Sequence, residues 1–356
     1  MLDKISAAII GATGMVGQRF IQLLNNHPWF KLELLAASDK SAGKKYKDIV
    51  SWALDEEQPK SIAEKTVQRI DTNIFKNESI KLIFSALPAD VARDIEMKLV
   101  NDGFMVFSNA GAYRMEKHVP LLIADINPEH LKLIDSQRKT IQSNGFIVTN
   151  PNCTVVGLAT ALKPLADNFS IRSVTVTTYQ ALSGAGYPGV PAVDIIGNVI
   201  PYIKGEEQKV EEECKKILGR FTGETIEPLP TVILASCTRV PVRDGHLESI
   251  IVDLEDNPTV DDLKETFNGY KGVGTKTLPT GPDKTIILTE EENRPQPILD
   301  VNSGTPERAR GMAITIGRIK KINNKYRFFL LVHNTIRGAA GCSIMNAELA
   351  KVEGYL

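Results

Sequence analysis

The chain has 356 residues, which is enough for one large domain or two ordinary ones, and 42% of them are hydrophobic. Lys+Arg 42 against Asp+Glu 43 gives a formal net charge of -1, which argues against a nucleic-acid or membrane surface. No signal peptide or membrane-spanning run is recognised, and the cysteines show neither metal nor disulfide spacing, so we expect a cytoplasmic protein without a metal site: Cys153, Cys214, Cys237 and Cys342.

The N-terminal stretch predicts the entry to a dinucleotide-binding fold. Ile5–Ile10 is typical of a buried strand, residues 11–17 (GATGMVG) of a glycine turn, and residues 18–26 of a helix. Such glycines let a pyrophosphate approach the backbone and lie on the helix N-terminus. The spacing is G-x-x-G-x-x-G rather than G-x-G-x-x-G, so an ordinary turn is the alternative. The position of the turn between strand and helix favours nucleotide binding.

The tip of the predicted second strand, residues 32–37, bears on the choice between NAD and NADP. NAD-binding folds usually place an acid there to hold the ribose 2′-hydroxyl. Here Ser38, Lys40 and Ser41 follow the strand, and hydroxyls and lysines suit a 2′-phosphate better. Asp39 lies among them and weakens the argument, and a polar surface loop is the alternative. The loop favours NADP.

Two further strand predictions, at residues 82–88 and 104–109 around a helix at 89–101, indicate repeating strand–helix units. Such units form a parallel sheet with helices on both faces. Arg114 follows in a loop after the second of these strands. Ligands bind at the carboxyl edge of such sheets, so Arg114 is either an anion clamp or an ordinary surface charge.

Residues 149–154 (TNPNCT) join a predicted strand at 145–148 to a helix whose apolar face runs through 155–165. Cys153 is therefore predicted to lie at a helix N-terminus, where free N–H groups and the helix dipole favour an anion. We expect its thiol to ionise more easily than usual and to act as a nucleophile, and the same N–H groups to hold a developing oxyanion. A small buried cysteine is the alternative.

From about residue 170 the pattern changes to that of a second domain with an antiparallel or mixed sheet. Val174, Val176, Thr178 and Gln180 alternate with Ser173, Thr175, Thr177 and Tyr179, which is typical of a strand. The remaining predictions are strands at 231–242 and 246–254 joined as a hairpin near 243–245, a hairpin of 312–320 and 326–333, helices at 206–218 and 260–267, and a terminal helix at 337–352 that packs back on the first domain.

The second domain also carries candidate site residues. Gln180 leads into a glycine-rich loop at 183–189, and Arg239 lies seven residues before His246. Glu206 and Lys209 lie in a charged run. Each has an ordinary alternative: a surface histidine at a strand end, glycines that serve only a turn, and a solvated helix start.

Together these stretches resemble the aspartate-semialdehyde dehydrogenase family, in its archaeal and fungal branch. The resemblance spans almost the whole chain, in the family's order: GATGMVGQ, SNAGAYRM, NPNCT, QALSGAGYPG, GEEQK, RVPVRDGH and HNTIRGAAG. It implies an α/β protein with a Rossmann-like, doubly wound parallel sheet that binds NADP (residues 1–152 with 337–356). It also implies an α+β catalytic and dimerisation domain (residues 153–336). The assembly that it implies is a homodimer or homotetramer.

The resemblance also implies an activity, the reduction of L-aspartyl-4-phosphate to L-aspartate-4-semialdehyde through a cysteine thioester, with release of phosphate. In that reading Cys153 is the nucleophile, His246 the general acid/base, and Gln180 the residue that orients the reacting group. Arg239 is implied to hold the substrate carboxylate, Arg114 the phosphate, and Glu206 with Lys209 to complete the pocket. The implied cofactor contacts are Gly11, Thr13, Gly14, Met15, Val16, Ser38, Lys40, Ser41, Ser85, Ser183, Gly184, Gly186 and Asn334.

Two other functions are open at this stage. A related acyl reductase, such as a malonyl-CoA reductase, would use the same nucleophile on another acyl donor, and Asn152 before the cysteine together with GEEQK favours aspartyl phosphate. The residues before the cysteine depart from the larger bacterial branch, so no catalytic role is assigned to Asn152. A non-catalytic NADP sensor is disfavoured because Cys153, Gln180, Arg239 and His246 are all present.

Overall fold

A computed structural model describes residues 4–272 and 277–356. Its first sheet has the strand order β3-β2-β1-β4-β5-β6, and every neighbouring pair is parallel. This order is that of a dinucleotide-binding Rossmann sheet, so the predicted fold class is confirmed. The strands are β1 (Ile5–Ile10), β2 (Phe30–Ala37), β3 (Gln68–Arg69), β4 (Leu82–Ser85), β5 (Met105–Ser108) and β6 (Phe146–Thr149).

The helices of this part are α1 (Met15–Leu24), α2 (Tyr46–Ile49), α3 (Lys60–Ala63), α4 (Thr72–Asn77), α5 (Ala89–Asn101) and α6 (Leu133–Ile141). Helix α1 begins three residues before the predicted start, with Gly17 inside it. A Cβ on Gly17 would lie 2.4 Å from the carbonyl oxygen of Gly11. The absent side chain therefore lets α1 pack directly on the turn, and this glycine serves close packing rather than a break in the helix.

The second sheet has the order β10-β7-β11-β14-β13-β12 and mixes parallel and antiparallel pairs. Its β7 alternates as predicted, with Val174, Val176, Thr178 and Gln180 buried. The strands are β7 (Ile171–Gln180), β10 (Val232–Arg239), β11 (His246–Leu254), β12 (Ile286–Thr289), β13 (Ile314–Ile322) and β14 (Lys325–Val332), while β8 (Arg220–Phe221) and β9 (Ile226–Glu227) form a separate pair.

One predicted hairpin is wrong and the other is confirmed. β10 and β11 are not partners, because β7 lies between them and pairs in parallel with β10. The connection of six residues crosses the end of β7, where the Leu182 amide donates to the Val242 carbonyl at 2.7 Å. By contrast, β13 and β14 pair antiparallel through a two-residue turn in which Asn323 has φ 54, the left-handed backbone that tight hairpins require.

The remaining helices are α7 (Cys153–Asn168), α8 (Ala192–Ile195), α9 (Glu206–Ile217), α10 (Val260–Gly269), α11 (Pro297–Asp300) and α12 (Gly341–Val352). Helix α7 is buried along most of its length and packs against α9, α10 and β14. Because β6 leads straight into α7, the first sheet and the second core meet at the start of this helix.

The C-terminal segment returns to the first sheet, as predicted. Ile344 and Met345 of α12 belong to the same buried cluster as Ile9 of β1 and Phe107 of β5. The predicted single helix is preceded by a π-helical turn, Ile336–Ala340. Among the residues that the structure describes, no helix is long and apolar enough to cross a membrane.

Candidate active site

Cys153 is the first residue of α7, where β6 has ended at the carboxyl edge of the parallel sheet. His246, the first residue of β11, comes to it from the second sheet. The Nε2 atom of His246 lies 3.2 Å from Sγ of Cys153. His246 is fully buried, so it is not a surface histidine at a strand end. The fold thus brings together a thiol and an imidazole that are far apart in the chain.

The electrostatic surroundings of this pair correct the prediction of an easily ionised thiol. Burial, with the negative charge of Glu206, raises the pKa of Cys153 to about 12, although Arg114 and Arg239 act in the opposite direction. Burial and the positive charge of Arg239 lower the pKa of His246 to about 3. Both shifts favour the neutral forms of the two groups, the thiol and the imidazole.

The amides of the first turn of α7 are also not all free, as had been expected for an oxyanion site. Asn152 is the N-cap of the helix, and its Oδ1 accepts from the N–H groups of Thr154 at 2.9 Å and Val155 at 3.4 Å. A side-chain cap satisfies the donors that would otherwise attract an anion. These two amides are therefore used by the cap.

Arg239, the last residue of β10, is buried beside the pair. Its Nη1 donates to the carbonyl oxygen of Ala181 at 2.6 Å. Gly184 lies directly over it, because a Cβ on this glycine would meet Nη1 of Arg239 at 3.1 Å and Cε1 of His246 at 3.1 Å. Because Gly184 has no side chain, its backbone can lie close to Arg239 and His246, and the space over both groups is narrow.

Arg114 is buried on the other side of the cysteine and is held by three partners. Its Nη1 lies 3.0 Å from Oε1 of Glu213, and its Nε and Nη2 donate to the carbonyl oxygens of Asn150 at 2.9 Å and Asn109 at 2.8 Å. The second oxygen of Glu213 accepts from the amide of Asn152 at 2.7 Å. Arg114 is thus a fixed cation at the sheet edge and not a mobile surface charge.

Glu206, the first residue of α9, is likewise buried rather than solvated. Its Oε1 accepts from Nδ2 of Asn152 at 2.8 Å, and its Oε2 lies 3.4 Å from Nζ of Lys209. Asn152 therefore connects the cap of α7 to the carboxylate of α9. The charged run does begin a helix, α9, and its first residue places the carboxylate of Glu206 within the site.

Gln180 ends β7 and is buried next to Arg239, with which it pairs in the sheet register. Its Nε2 donates to Oγ1 of Thr178 at 3.3 Å. The side chains of Gln180 and Arg239 are therefore neighbours on the same face of the second sheet.

The glycine turn fits the pyrophosphate of a dinucleotide. Gly11 has φ 78, and a Cβ there would lie 2.6 Å from the carbonyl oxygen of Ala86, so only glycine fits. Gly14 is the N-cap of α1 and has no side chain to cap the amides of the first turn. In contrast to α7, helix α1 therefore has no side-chain cap on its first-turn amides, the arrangement that suits a bound phosphate.

Some of the other residues predicted to contact the cofactor line one cavity. Met15, Ser183 and Gly186 line a cavity of about 140 Å³. Nδ2 of Asn334 donates to Oγ of Ser183 at 2.8 Å. The remaining members lie in the turn, at the end of β4 or after β2: Thr13, Val16, Ser38, Lys40, Ser41, Ser85.

Three parts of the site were missed from the sequence. Glu213 holds Arg114, and Lys216 donates to the carbonyl oxygen of Arg114 at 2.6 Å. Glu213 and Lys216 follow Glu206 on α9 at a spacing that places all three on one face of the helix. This spacing could have identified them from the sequence. The third part is the backbone of Ala181, which contacts both His246 and Arg239 and has no signature in the side-chain pattern.

The molecule joins a Rossmann sheet to a mixed sheet, and a cysteine–histidine pair lies where the two meet. This architecture is that of a class of nucleotide-binding dehydrogenases, which the family comparison identifies. Residues 6–134 match the family described as "Semialdehyde dehydrogenase, NAD binding domain", and residues 162–337 match "Semialdehyde dehydrogenase, dimerisation domain".

The curated relatives narrow this class. The chain is 50% identical to an aspartate-semialdehyde dehydrogenase of Archaeoglobus fulgidus, over 97% of this chain and 98% of the other. It is 42% identical to that of Candida albicans, over 98% of this chain and 99% of the other. The chain belongs to the aspartate-semialdehyde dehydrogenase family, as the sequence motifs predicted.

Two further comparisons bear on cofactor and substrate. The Candida albicans aspartate-semialdehyde dehydrogenase structure with NADP superposes with a TM-score of 0.88 at 40% identity, covering 99% of this chain and 100% of the other. A malonyl-CoA reductase (NADP) of Metallosphaera sedula is 38% identical over 100% of this chain and 99% of the other.

Proposed function

We propose that the protein is a phosphorylating, NADP-dependent L-aspartate-4-semialdehyde dehydrogenase, which reduces L-aspartyl-4-phosphate in the biosynthesis of lysine, threonine and methionine. The observation that carries the proposal is the contact of Cys153 with His246 between two buried arginines and a buried glutamate. Aspartyl phosphate carries a carboxylate, a phosphate and an ammonium, so it needs two cations and an acid around one nucleophile.

In this proposal each charge has a partner. The planar fork of Arg239 holds the substrate carboxylate, and Arg114 receives the phosphate. Glu206 with Lys209 completes the pocket around the ammonium. Arg114 is held by Glu213 and Glu206 by Asn152, so both charged side chains are positioned before substrate arrives.

The sulfur of Cys153 attacks the acyl carbon, phosphate leaves, and a thioester forms on the protein. Bound NADPH supplies the hydride that reduces the acyl carbon. Gln180 orients the reacting group, and His246 is the acid/base group in contact with the sulfur. The thiolate then departs and the aldehyde is released.

NADP is proposed as cofactor in preference to NAD. Ser38, Lys40 and Ser41 follow β2 at the position where an NAD-binding fold usually carries an acid for the ribose hydroxyl. The uncapped start of α1 is the proposed pyrophosphate site. The NADP in the similar Candida albicans structure supports this assignment.

We further propose that residues 1–152 with 337–356 bind the cofactor, and that residues 153–336 carry catalysis and oligomerisation. The support is the matched dimerisation domain and an apolar strip on the outer face of the second sheet. Leu234 and Ile251 are 57% and 39% exposed there, and both pair in register with Thr175 of β7. This strip is the proposed contact between the two subunits of a dimer. A homotetramer would need a second contact surface.

The proposed location is the cytoplasm. The four cysteines Cys153, Cys214, Cys237 and Cys342 are free thiols, and a thiol nucleophile needs reducing surroundings.

The test is a spectrophotometric assay of the purified protein with two substrates. We expect NADPH to form from NADP when aspartate semialdehyde and phosphate are both present, and not when phosphate is omitted. Cys153→Ala should abolish this turnover and still bind NADP. The matched control is Cys237→Ala, which removes a buried thiol from β10 and should keep the activity.

Malonyl-CoA reductase is the competing function, because one relative of this kind is 38% identical. It is not favoured, since the archaeal and fungal relatives cited above are more similar and are aspartate-semialdehyde dehydrogenases. Malonyl-CoA has no ammonium group for the buried Glu206. Oxidation of NADPH by malonyl-CoA, without phosphate-dependent oxidation of aspartate semialdehyde, would establish the competing function instead.

A further inference from the structure

One carboxylate of α9, that of Glu213, joins two parts of the site that come from different elements. Its Oε1 lies 3.0 Å from Nη1 of Arg114, and its Oε2 accepts from the backbone amide of Asn152 at 2.7 Å. Arg114 lies in the loop after β5, whereas Asn152 directly precedes Cys153 at the start of α7. The side chain of Glu213 is only 3% exposed. A buried, fixed group therefore lies between the arginine and the turn that carries the nucleophile.

The contacts of Arg114 leave part of its guanidinium for a ligand. Nε donates to the carbonyl oxygen of Asn150 and Nη2 to that of Asn109, while Nη1 is held by Glu213. Within the part of the chain that the structure describes, these contacts leave a second N–H on each Nη atom. Because three contacts fix the guanidinium plane, the remaining N–H groups have a set direction, which bidentate binding of a phosphate requires.

The backbone of the same loop is anchored separately, by Lys216. Its Nζ donates to the carbonyl oxygens of Arg114 at 2.6 Å, Glu116 at 2.9 Å and Val119 at 3.1 Å. Lys216 is buried, and its ammonium spends its donors on these carbonyls. The course of the loop on α9 thus has its own anchor, and Glu213 acts on the side chain of Arg114.

Helix α9 also holds Asn152 at two points. Glu206 accepts from Nδ2 of Asn152 at 2.8 Å, and Glu213, two turns later on the same helix face, accepts from the Asn152 amide. The second contact fixes the backbone next to Cys153. We infer that, in the reaction proposed above, on which this inference rests, Glu213 is a positioning residue. It sets Arg114 and the nucleophile at one separation, so that the phosphate is held beside the acyl carbon that the sulfur attacks.

Glu213→Gln tests this role, because a glutamine cannot serve both partners. Both partners donate, and the amide has one accepting oxygen in place of two. The variant loses one link outright and the charge from the other. We expect KM for phosphate to rise about tenfold, the equivalent of one charge-assisted hydrogen bond. We expect kcat to fall by about 10–10²-fold, because the sulfur is displaced.

A general loss of structure would give a different result. KM for aspartate semialdehyde and Kd for NADP should stay within about twofold, because Arg239 and the glycine turn lie on other elements. In Arg114→Lys, which lacks the planar fork, adding Glu213→Gln should not raise KM for phosphate further, since the partner is already lost. Independent, additive effects of the two changes on this KM would contradict the inference.

The matched control is Glu212→Gln, the same change on the exposed face of α9, where Glu212 accepts from Nε2 of Gln208 at 2.9 Å. It should keep the wild-type constants. Thermal unfolding and NADP titration establish that each variant is folded. If Glu213→Gln does not fold, Glu213→Asp takes its place with the same expected losses, because it is one methylene too short to reach both partners.

The same variants separate this inference from the proposed function. The link to Asn152 acts on the sulfur whichever acyl donor is attacked. If malonyl-CoA supports turnover and aspartate semialdehyde with phosphate does not, only the substrate assignment is lost. Glu213→Gln should then still lower kcat by about 10–10²-fold with malonyl-CoA. Wild-type kcat in this variant, with whichever substrate the protein uses, would overturn the inference.

Discussion

At the scale of single residues, Cys153 shows that a position at a helix N-terminus does not by itself make a thiol acidic. The cap provided by Asn152 takes up two of the amides, and burial opposes the thiolate more strongly than Arg114 and Arg239 favour it. Burial thus outweighs the position at the helix start in setting the pKa of this thiol.

The raised pKa of Cys153 predicts slow alkylation by iodoacetamide in the substrate-free protein. Only the thiolate reacts, so with a pKa of about 12 the rate at Cys153 should rise about tenfold per pH unit from neutral to alkaline pH. Mass spectrometry of the peptide that contains Cys153 measures this rate apart from the buried cysteines. A rate that is already maximal at neutral pH would indicate an ionised thiol and contradict the prediction.

Glu248 is a second buried group with a consequence for stability. It is fully buried two residues after His246, and neither carboxyl oxygen has a hydrogen-bond partner among the described residues. Burial raises its pKa well above the ordinary value of 4.5. The folded protein therefore keeps the proton that the unfolded chain releases, and the free energy of unfolding falls as pH rises above 4.5.

Glu248→Gln removes this titration. Relative to the variant, the wild type should lose up to about 1.4 kcal/mol of unfolding free energy per pH unit, until the pH reaches the folded pKa. Urea unfolding of both proteins at several pH values measures the difference. Glu290→Gln makes the same change on a side chain that is 76% exposed and serves as the control. A wild-type disadvantage that does not grow with pH would mean that Glu248 is ionised in the folded state.

At the scale of secondary-structure elements, the π-helical turn Ile336–Ala340 packs against the nucleophile. A Cβ on Gly338 would lie 2.9 Å from Cβ and 3.0 Å from Cα of Cys153. The turn is held in place because the Gly338 carbonyl accepts from Nδ2 of Asn150 at 3.1 Å and Arg337 forms a buried ion pair with Asp125 at 2.9 Å. π-Turns are common at functional sites, and this one sets the position of the sulfur.

Gly338→Ala should therefore move Cys153 and reduce kcat by about 10²-fold, which is typical of a displacement near 1 Å at a reacting group. NADP binding at the glycine turn should be unchanged, because the added methyl group meets only the start of α7. Steady-state kinetics with a separate NADP titration measures both effects. Gly269→Ala, where a new Cβ meets no atom within 4 Å, is the control. Wild-type kcat in Gly338→Ala would show that this contact does not position the nucleophile.

At the scale of the whole molecule, the chain passes twice between the two proposed halves, after residue 152 and after residue 336. Hydrogen bonds between the halves join Arg19 to Thr335 at 3.1 Å and the Thr280 amide to Glu348 at 3.1 Å, and Glu348 also contacts His27 of its own half at 2.8 Å. With α12 packed on the first sheet, the two halves hold the groove that contains the proposed cofactor and substrate sites. The outer face of the second sheet exposes the apolar side chains of Leu234 and Ile251, and the dimerisation domain matched there gives a reason for that exposure.

Leu234→Glu tests the proposed dimer contact. Leu234 is 57% exposed in the single chain, and a charge buried at its position in a dimer would cost several kcal/mol. We expect the variant to sediment as a smaller species than the wild type in analytical ultracentrifugation. Val352→Glu, at the end of α12 and 53% exposed, is the matched control and should not change the assembly. An unchanged sedimentation coefficient for Leu234→Glu would remove this face as the contact.

By itself, the sequence determined the features that depend on neighbouring residues: β1, the glycine turn, α5, the alternation along β7 and the place of Cys153 at the start of α7. Periodicity and glycine position encode these locally. Only the tertiary structure decided that β7 separates β10 from β11, that α9 supplies Glu213, and that His246 meets both Cys153 and Ala181. Those partners lie 93 and 65 residues away in the chain, so burial and contacts between distant elements determine their protonation.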